Sequence, residues 1–160
     1  MTTILLMRHG DAVRGEDLDE ARHLSRSGRS DVKSVARALA ERWAGRRVGY
    51  VVSSHLVRAV STAEIVAHEL ERRGIEIDPM LHADPRFHPD GSPRHAAQRL
   101  SELALEHGPG AVLCVCHEPI VRGIASHLAP RAGGAPFQTS GLACIEDGAI
   151  SFSLDPRLLA

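Results

Sequence analysis

The order of short apolar runs is the feature that most restricts how this chain can fold. Three runs, 3–7, 50–52 and 111–116, have the length of buried strands. Between them lie segments whose apolar residues recur at helical spacing, as at Val32, Val35, Ala36, Leu39 and Trp43. Strand and helix therefore alternate, which predicts an α/β fold with a mainly parallel central sheet. Because crossovers between parallel strands are right-handed, helices should cover both faces and give a three-layer α/β/α domain.

Capping residues and proline place the predicted helices. Ser25 or Ser27 is expected to cap the first helix, and Ser54 the second. A third helix is predicted over about 94–107. Pro119 suits the first position of a fourth, because its missing N–H is not needed there.

Turn-forming residues separate the remaining elements. The stretch 75–77 alternates like a brief strand, and 142–145 with 149–154 should form a hairpin around an Asp-Gly turn. Four prolines and a glycine predict that 79–93 is mostly loop, and 130–141 is similarly rich in glycine and proline.

Composition limits the classes of protein to consider. The 160 residues include 43% hydrophobic and 24% charged residues, which is typical of one globular domain spanning 1–160. The net charge of −1 argues against binding to nucleic acid or to an anionic membrane. No apolar run approaches the ~18 residues of a transmembrane helix. Three cysteines without a disulfide pattern favour a reducing compartment, so we expect a cytoplasmic protein.

Polar residues follow the three predicted strands at the point where each ends. The tripeptide Arg-His-Gly at 8–10 follows the first strand, Ser54 and Arg58 follow the second, and His117 follows the third. Ligands of open α/β sheets bind beyond the carboxyl ends of the strands. Arginine and helix N-termini both favour anions, so the sequence predicts a phosphate pocket at this edge.

The residue types in this pocket suit phosphoryl transfer without a metal. His9 would act as the nucleophile through a neutral ring nitrogen, while its other nitrogen donates to a backbone carbonyl. Arg8 and Arg58 would stabilise the charge on the transferred group, and His117 would donate further hydrogen bonds, with phosphate favouring its cationic form. Gly10 would let the backbone approach the ligand. No nearby carboxylate cluster would hold Mg²⁺, so no metal or cofactor is expected.

Three blocks of this sequence resemble the histidine phosphatase superfamily, also called the phosphoglycerate mutase-like family. They are Leu-Leu-Met-Arg-His-Gly at 5–10, the Ser-Ser, Arg-Ala and Thr-Ala pairs within 53–63, and Cys-Val-Cys-His-Glu-Pro at 114–119. Within that family the chain is most similar to the short SixA-type phosphohistidine phosphatases. Arg-His-Gly-Asp-Ala at 8–12 and the loop 85–91 carry this closer resemblance.

The resemblance implies roles for particular side chains. His9 would be the residue that is phosphorylated, and Arg8, Arg58 and His117 would bind the phosphate. Further candidates for substrate binding are Gly10, Ser54 and His88, the last because its loop should border the pocket.

The sequence departs from the family pattern at three places. His55 stands where a proline is usual, and Cys116 where a glycine commonly precedes the second histidine. Many members carry a glutamate acid after the third short strand, where this chain has Ala83 or Arg86. Asp84 is the nearest carboxylate and is therefore the candidate general acid.

A site with a weak general acid favours substrates whose leaving group does not need a proton from the enzyme. An alkyl phosphate needs a proton on its leaving oxygen, whereas the imidazole released from phosphohistidine can already carry one. The resemblance and the short chain, which has little room for a cap over the site, predict hydrolysis of phosphohistidine on a protein, such as a phosphorelay domain. A small-molecule phosphomonoesterase and a non-catalytic phosphate-binding module are the alternatives.

Overall fold

A seven-stranded sheet forms the centre of the computed structural model, which describes residues 2–15, 18–134 and 137–159. Its strands are β1 (Thr3–Arg8), β2 (Arg47–Ser53), β3 (Glu76–Ile77), β4 (Leu81–Ala83), β5 (Ala111–Cys116), β6 (Leu142–Glu146) and β7 (Ala149–Leu154). The order is β3-β2-β5-β1-β6-β7, and β4 also pairs with β2. Strands β1 to β5 pair in parallel, whereas β6 and β7 form an antiparallel hairpin beside β1. The mainly parallel α/β sheet is therefore confirmed.

Four helices cover the two faces of this sheet. They are α1 (Arg26–Arg42), α2 (Val57–Arg72), α3 (Pro93–His107) and α4 (Ile120–Leu128). Alternate side chains of β1 point to opposite faces, so Leu5 and Met7 pack in the cluster with α1 and α2. Ile4 and Leu6 pack with α3 and α4. The result is the predicted three-layer arrangement, with an apolar cluster on each side of the sheet.

Several helix, strand and turn predictions agree with the structure. Strand β5 has the predicted bounds, and α3 begins one residue before the predicted start. The Ser25 hydroxyl caps α1 by accepting a hydrogen bond from the backbone N–H of Gly28 at 3.0 Å. Asp147 and Gly148 have φ of 47° and 83°, the left-handed conformation that a tight hairpin turn requires.

Other boundaries differ from the prediction. Helix α2 begins at Val57 after Leu56, and Ser54 does not cap it. The stretch 79–93 contains β4 and a 3₁₀ turn as well as loop, because β4 gains its hydrogen bonds from the distant strand β2. The 130–141 stretch includes a 3₁₀ turn at Pro130–Ala132, and its positions 135 and 136 lie outside the described residues. None of the described helices is long and apolar enough to cross a membrane.

Candidate active site

The parallel strands β2, β5 and β1 end side by side and bring their following residues together. Arg8 at the end of β1 is in register with Cys116 at the end of β5. The His9 backbone N–H donates to the Cys116 carbonyl at 3.0 Å, which holds the two strand ends level. His9 and His117 are therefore neighbours, and their ring centroids lie 5.0 Å apart.

A pocket of about 460 Å³ lies at this edge of the sheet. Of the side chains singled out in the sequence, those lining it are Arg8, His9, Arg58, His88 and His117. Gly10, Ser54 and Asp84 are not among its lining residues. The geometry thus brings together the two arginines and two histidines of the predicted phosphate site.

His9 is held in one tautomer by its own loop. Its Nδ1 lies 2.6 Å from the carbonyl oxygen of Gly10. Because a carbonyl can only accept, Nδ1 carries the proton and the lone pair is left on Nε2. Burial, together with the positive charges of Arg58 and Arg8, lowers the pKa of His9 to about 4, although the hydrogen bond to Gly10 acts in the opposite direction. His9 is therefore a neutral base at pH 7.

Gly10 packs closely against α1, where there is no room for a side chain. A Cβ atom at this position would lie 2.7 Å from Cγ2 of Val32 on α1, which is too close. The Gly10 N–H donates to the Thr62 hydroxyl at 3.0 Å, and that hydroxyl donates to the Arg58 carbonyl at 2.7 Å. These two hydrogen bonds connect the loop that carries His9 to helix α2, so the Gly10 N–H already has a partner within the protein.

His117 contacts Ser54 rather than leaving that hydroxyl free for substrate. Its Nε2 lies 2.5 Å from the Ser54 Oγ, and both side chains are buried. Burial, together with His9, Arg58 and His88, lowers the pKa of His117 to about 2. The cationic form that was expected with bound phosphate is thus strongly disfavoured in the protein alone.

The two arginines are anchored by different parts of the chain. Arg58 donates from Nη1 to the Asp19 carbonyl at 2.9 Å and from Nη2 to its Oδ2 at 3.1 Å. Asp19 also accepts from Arg22 at 3.1 Å, and the two guanidinium groups hold the pKa of its carboxyl below the usual range. Arg8 donates from Nη1 to the Phe137 carbonyl at 2.9 Å.

Several buried polar atoms of pocket-lining residues have no hydrogen-bond partner among the described residues. They are Arg8 Nε, Arg58 Nε, His117 Nδ1 and both carboxylate oxygens of Glu118. Buried polar groups are usually hydrogen-bonded, so this concentration is typical of a site for a polar ligand, and the two guanidinium donors suit an anion.

The structure does not place Asp84 where a general acid would act. Its Oδ1 accepts from the backbone N–H of Arg86 at 2.9 Å and from the Arg86 Nε at 3.2 Å, so it caps the 3₁₀ turn. His88 does line the pocket, and its Nδ1 accepts from the Asp90 N–H at 3.2 Å. The His88 ring proton therefore resides on Nε2 when the ring is neutral.

Sequence reasoning missed the contribution of the segment after β1. The pocket-lining residues that it supplies are Asp11, Ala12, Arg14, Asp19 and Arg22. This segment has no apolar periodicity, and contacts of its described residues with distant ones, such as the bonds from Arg58 to Asp19, are not readable from local sequence. Glu118, which directly follows His117, also lines the pocket. In the described ranges, no group of three or more His, Cys, Asp or Glu could hold a metal ion.

Comparison with known proteins places this architecture in a family. Residues 4–83, half of the chain, match the model of the histidine phosphatase superfamily (branch 1). The chain belongs to this superfamily. The matched residues span β1 to β4 and include His9 and Arg58.

Individual relatives of this histidine phosphatase superfamily member differ in how much of it they match. The structure of the protein histidine phosphatase SixA complexed with tungstate superposes with a TM-score of 0.85 at 25% identity, covering 99% of each chain. A putative phosphohistidine phosphatase SixA from Agrobacterium tumefaciens superposes with a TM-score of 0.71 at 21% identity, covering 97% and 98%. The mitochondrial serine/threonine-protein phosphatase Pgam5 of Drosophila persimilis is 37% identical over 68 residues, 42% of this chain and 23% of that protein. The SixA resemblance is thus confirmed along nearly the whole chain.

The buried histidines of this superfamily member should make its stability depend on pH. Between pH 6.5 and about 4 the unfolded chain protonates His9 while the folded chain does not. The free energy of unfolding should therefore fall on acidification through this window, by up to about 3 kcal/mol from His9. Denaturant unfolding across this range should show a shallower decline for His9→Asn than for the natural chain. His68 is exposed on α2, so His68→Asn is the matched control, and an equal decline in all three proteins would contradict the assignment.

Proposed function

We propose that this chain is a phosphatase that transfers a phosphoryl group from protein phosphohistidine to His9 and then to water. The observation that carries the proposal is the state of His9. Its Nδ1–H bond to the Gly10 carbonyl leaves an unprotonated Nε2 in a pocket shared with two arginines and a second histidine.

The pocket has the electrostatics that phosphoryl transfer needs. Charge in the transition state is spread over three equatorial oxygens, so catalysis depends on positioned donors and positive charge. Arg8 and Arg58 supply permanent charge, and each keeps its Nε without a partner in the described part of the chain. His117 adds a third buried nitrogen with the same property, at Nδ1.

The reaction divides into two displacements at phosphorus. In the first, Nε2 of His9 forms a bond to phosphorus while the bond from phosphorus to the substrate nitrogen breaks. The departing imidazole keeps the electron pair and carries a proton. In the second, water forms the new bond to phosphorus, the bond to Nε2 breaks, and inorganic phosphate leaves with His9 neutral again.

The proton that a leaving group needs differs between phosphohistidine and alkyl phosphates. An alkyl leaving group needs a donor in the transition state. Asp84 is bound to Arg86 outside the pocket, which removes the carboxylate candidate identified in the sequence. His88 and the carboxylates of Asp11, Asp19, Asp90 and Glu118 line the pocket, but an imidazole leaving group that is already protonated needs none of them.

Two exposed apolar residues that directly precede pocket residues in the sequence support a protein substrate. Leu18 precedes Asp19, and its side chain is 77% exposed. Val57 precedes Arg58 and is 40% exposed. Exposed apolar side chains suit contact with a protein surface better than contact with a small sugar phosphate. The substrate that we propose is a phosphorelay domain in the cytoplasm that carries phosphohistidine.

A comparison of substrates tests this function. The values of kcat/KM should be measured for a phosphohistidine-bearing phosphorelay protein, p-nitrophenyl phosphate and a panel of sugar phosphates. We expect phosphohistidine to be the best substrate, p-nitrophenyl phosphate to follow because of its good leaving group, and sugar phosphates to be poorest. Highest kcat/KM for a sugar phosphate would instead identify a small-molecule phosphomonoesterase. Phosphate binding without turnover of any substrate would identify a binding module.

A further inference from the structure

The neighbouring groups determine which side chain donates the hydrogen bond between Ser54 and His117. Ser54 lies just beyond β2 and is fully buried, and its Oγ has two partners among the described residues. One is the backbone N–H of Leu56 at 3.3 Å, which can only donate. The other is the Nε2 of His117 at 2.5 Å.

Counting protons settles which of these two side chains donates. If His117 donated from Nε2, the Ser54 oxygen would accept twice and its own hydroxyl proton would be buried without an acceptor. If Ser54 donates, every group is satisfied: Leu56 N–H to Oγ, and Oγ–H to the Nε2 lone pair. A buried unsatisfied donor costs about 1–3 kcal/mol, so the second arrangement is strongly favoured.

The other ring nitrogen then has a defined role. A neutral imidazole that accepts at Nε2 must carry its proton on Nδ1. His117 Nδ1 is buried without a protein partner in the described ranges, in a residue that lines the pocket. The nearby guanidinium of Arg58 and the ring of His9 also oppose a second proton on His117.

We propose that Ser54 is a positioning residue that fixes His117 as its Nδ1–H tautomer, so that His117 offers the phosphoryl group a donor and not a lone pair. This inference rests on the proposed phosphatase function for its effect on catalysis. In the opposite tautomer a lone pair on Nδ1 would oppose the negative phosphoryl oxygens. In this proposal Ser54 acts through His117. This differs from the sequence-based expectation that Ser54 contacts the substrate itself.

The tautomer can be measured without any turnover. In ligand-free protein labelled with ¹⁵N at histidine, the chemical shifts and ring couplings of His117 distinguish a protonated Nδ1 from a protonated Nε2. We expect a protonated Nδ1 and an unprotonated Nε2 in the natural chain. A protonated Nε2 there would overturn the proposal, whether or not any variant folds.

Variants test the role of the hydroxyl. Ser54→Ala should shift His117 towards the Nε2–H form and lower kcat/KM by roughly 10- to 100-fold, as for other groups that orient a functional histidine. Ser54→Thr keeps the hydroxyl and should restore both the shifts and the activity. Ser53→Ala is the matched control, because the Ser53 hydroxyl donates instead to the Ser54 carbonyl at 2.7 Å.

The outcomes separate this proposal from the proposed function. If His117 is Nδ1-protonated and Ser54→Ala changes that state, the positioning role stands even if no phosphorylated substrate is turned over. If Ser54→Ala keeps both the Nδ1–H signature and full kcat/KM on phosphohistidine, the positioning role is wrong while the phosphatase function stands.

Discussion

Replacing His9 with alanine should lower turnover by several orders of magnitude, the largest loss expected from any single substitution. In the proposed mechanism His9 provides the bonding electron pair from Nε2, which is left unprotonated because Nδ1 donates to the Gly10 carbonyl, whereas Nε2 of His117 is bonded to the Ser54 hydroxyl. Steady-state assays on phosphohistidine protein and p-nitrophenyl phosphate should show the same loss, because both substrates depend on one nucleophile. His127, exposed on α4, gives the matched control His127→Ala, which should keep normal turnover.

A covalent intermediate should be trapped in the natural chain and not in His9→Ala. Rapid quenching with a substrate labelled in its phosphoryl group should give a labelled protein whose label is lost in acid and kept in base, the stability of a P–N bond. Near-normal turnover of His9→Ala, or an acid-stable label on a serine or aspartate, would contradict the mechanism.

Replacing Arg58 with alanine should lower kcat/KM on the order of 10²–10³, comparable to removing one preorganised donor from a transition state. The loss has a specific physical origin. Arg58 is 5% exposed and lies in a pocket where its charge is poorly screened by solvent. Arg58→Lys keeps the charge but not the planar set of donors, so its activity should be intermediate.

A second variant separates phosphoryl binding from a structural role of Arg58. Asp19→Ala breaks the same ion pair but leaves the guanidinium group in place. We expect a much smaller loss of kcat/KM for Asp19→Ala than for Arg58→Ala in parallel assays. Equal losses would show that Arg58 acts by holding the segment that contains Asp19 and not by binding the phosphoryl group.

The sequence predicted the fold well where apolar runs are short and end abruptly. Strand β5 is bounded by Gly110 and His117, so its limits were readable from residue type alone. Strand β4 was not readable, because two of its three residues are only partly buried, the third is exposed, and all three pair with Val51–Ser53. This pairing with β2 is non-local, and no sequence pattern within the proline-rich stretch predicts it.

The candidate site also has parts that the sequence could predict and contacts that it could not. Arg8, His9 and His117 were placed together because adjacent parallel strands must end at one edge of a sheet. Ser54 and Gly10 were also placed near this edge, but their contacts could not be foreseen. Ser54 bonds to His117 and Gly10 packs against Val32, and both partners lie far away in sequence.

The position of β1 between β5 and β6 affects how rigidly the base of the pocket is held. Both edges of β1 are occupied, by a parallel neighbour on one side and an antiparallel neighbour on the other. Amides in such a strand are released to hydrogen exchange only when the whole sheet opens, whereas segments tied by exposed ion pairs open at lower free energy. His9 directly follows β1, while Asp19 is tied through a carboxylate that is 64% exposed. We therefore expect the backbone amides at the end of β1, beside the proposed nucleophile His9, to exchange more slowly than those around Asp19.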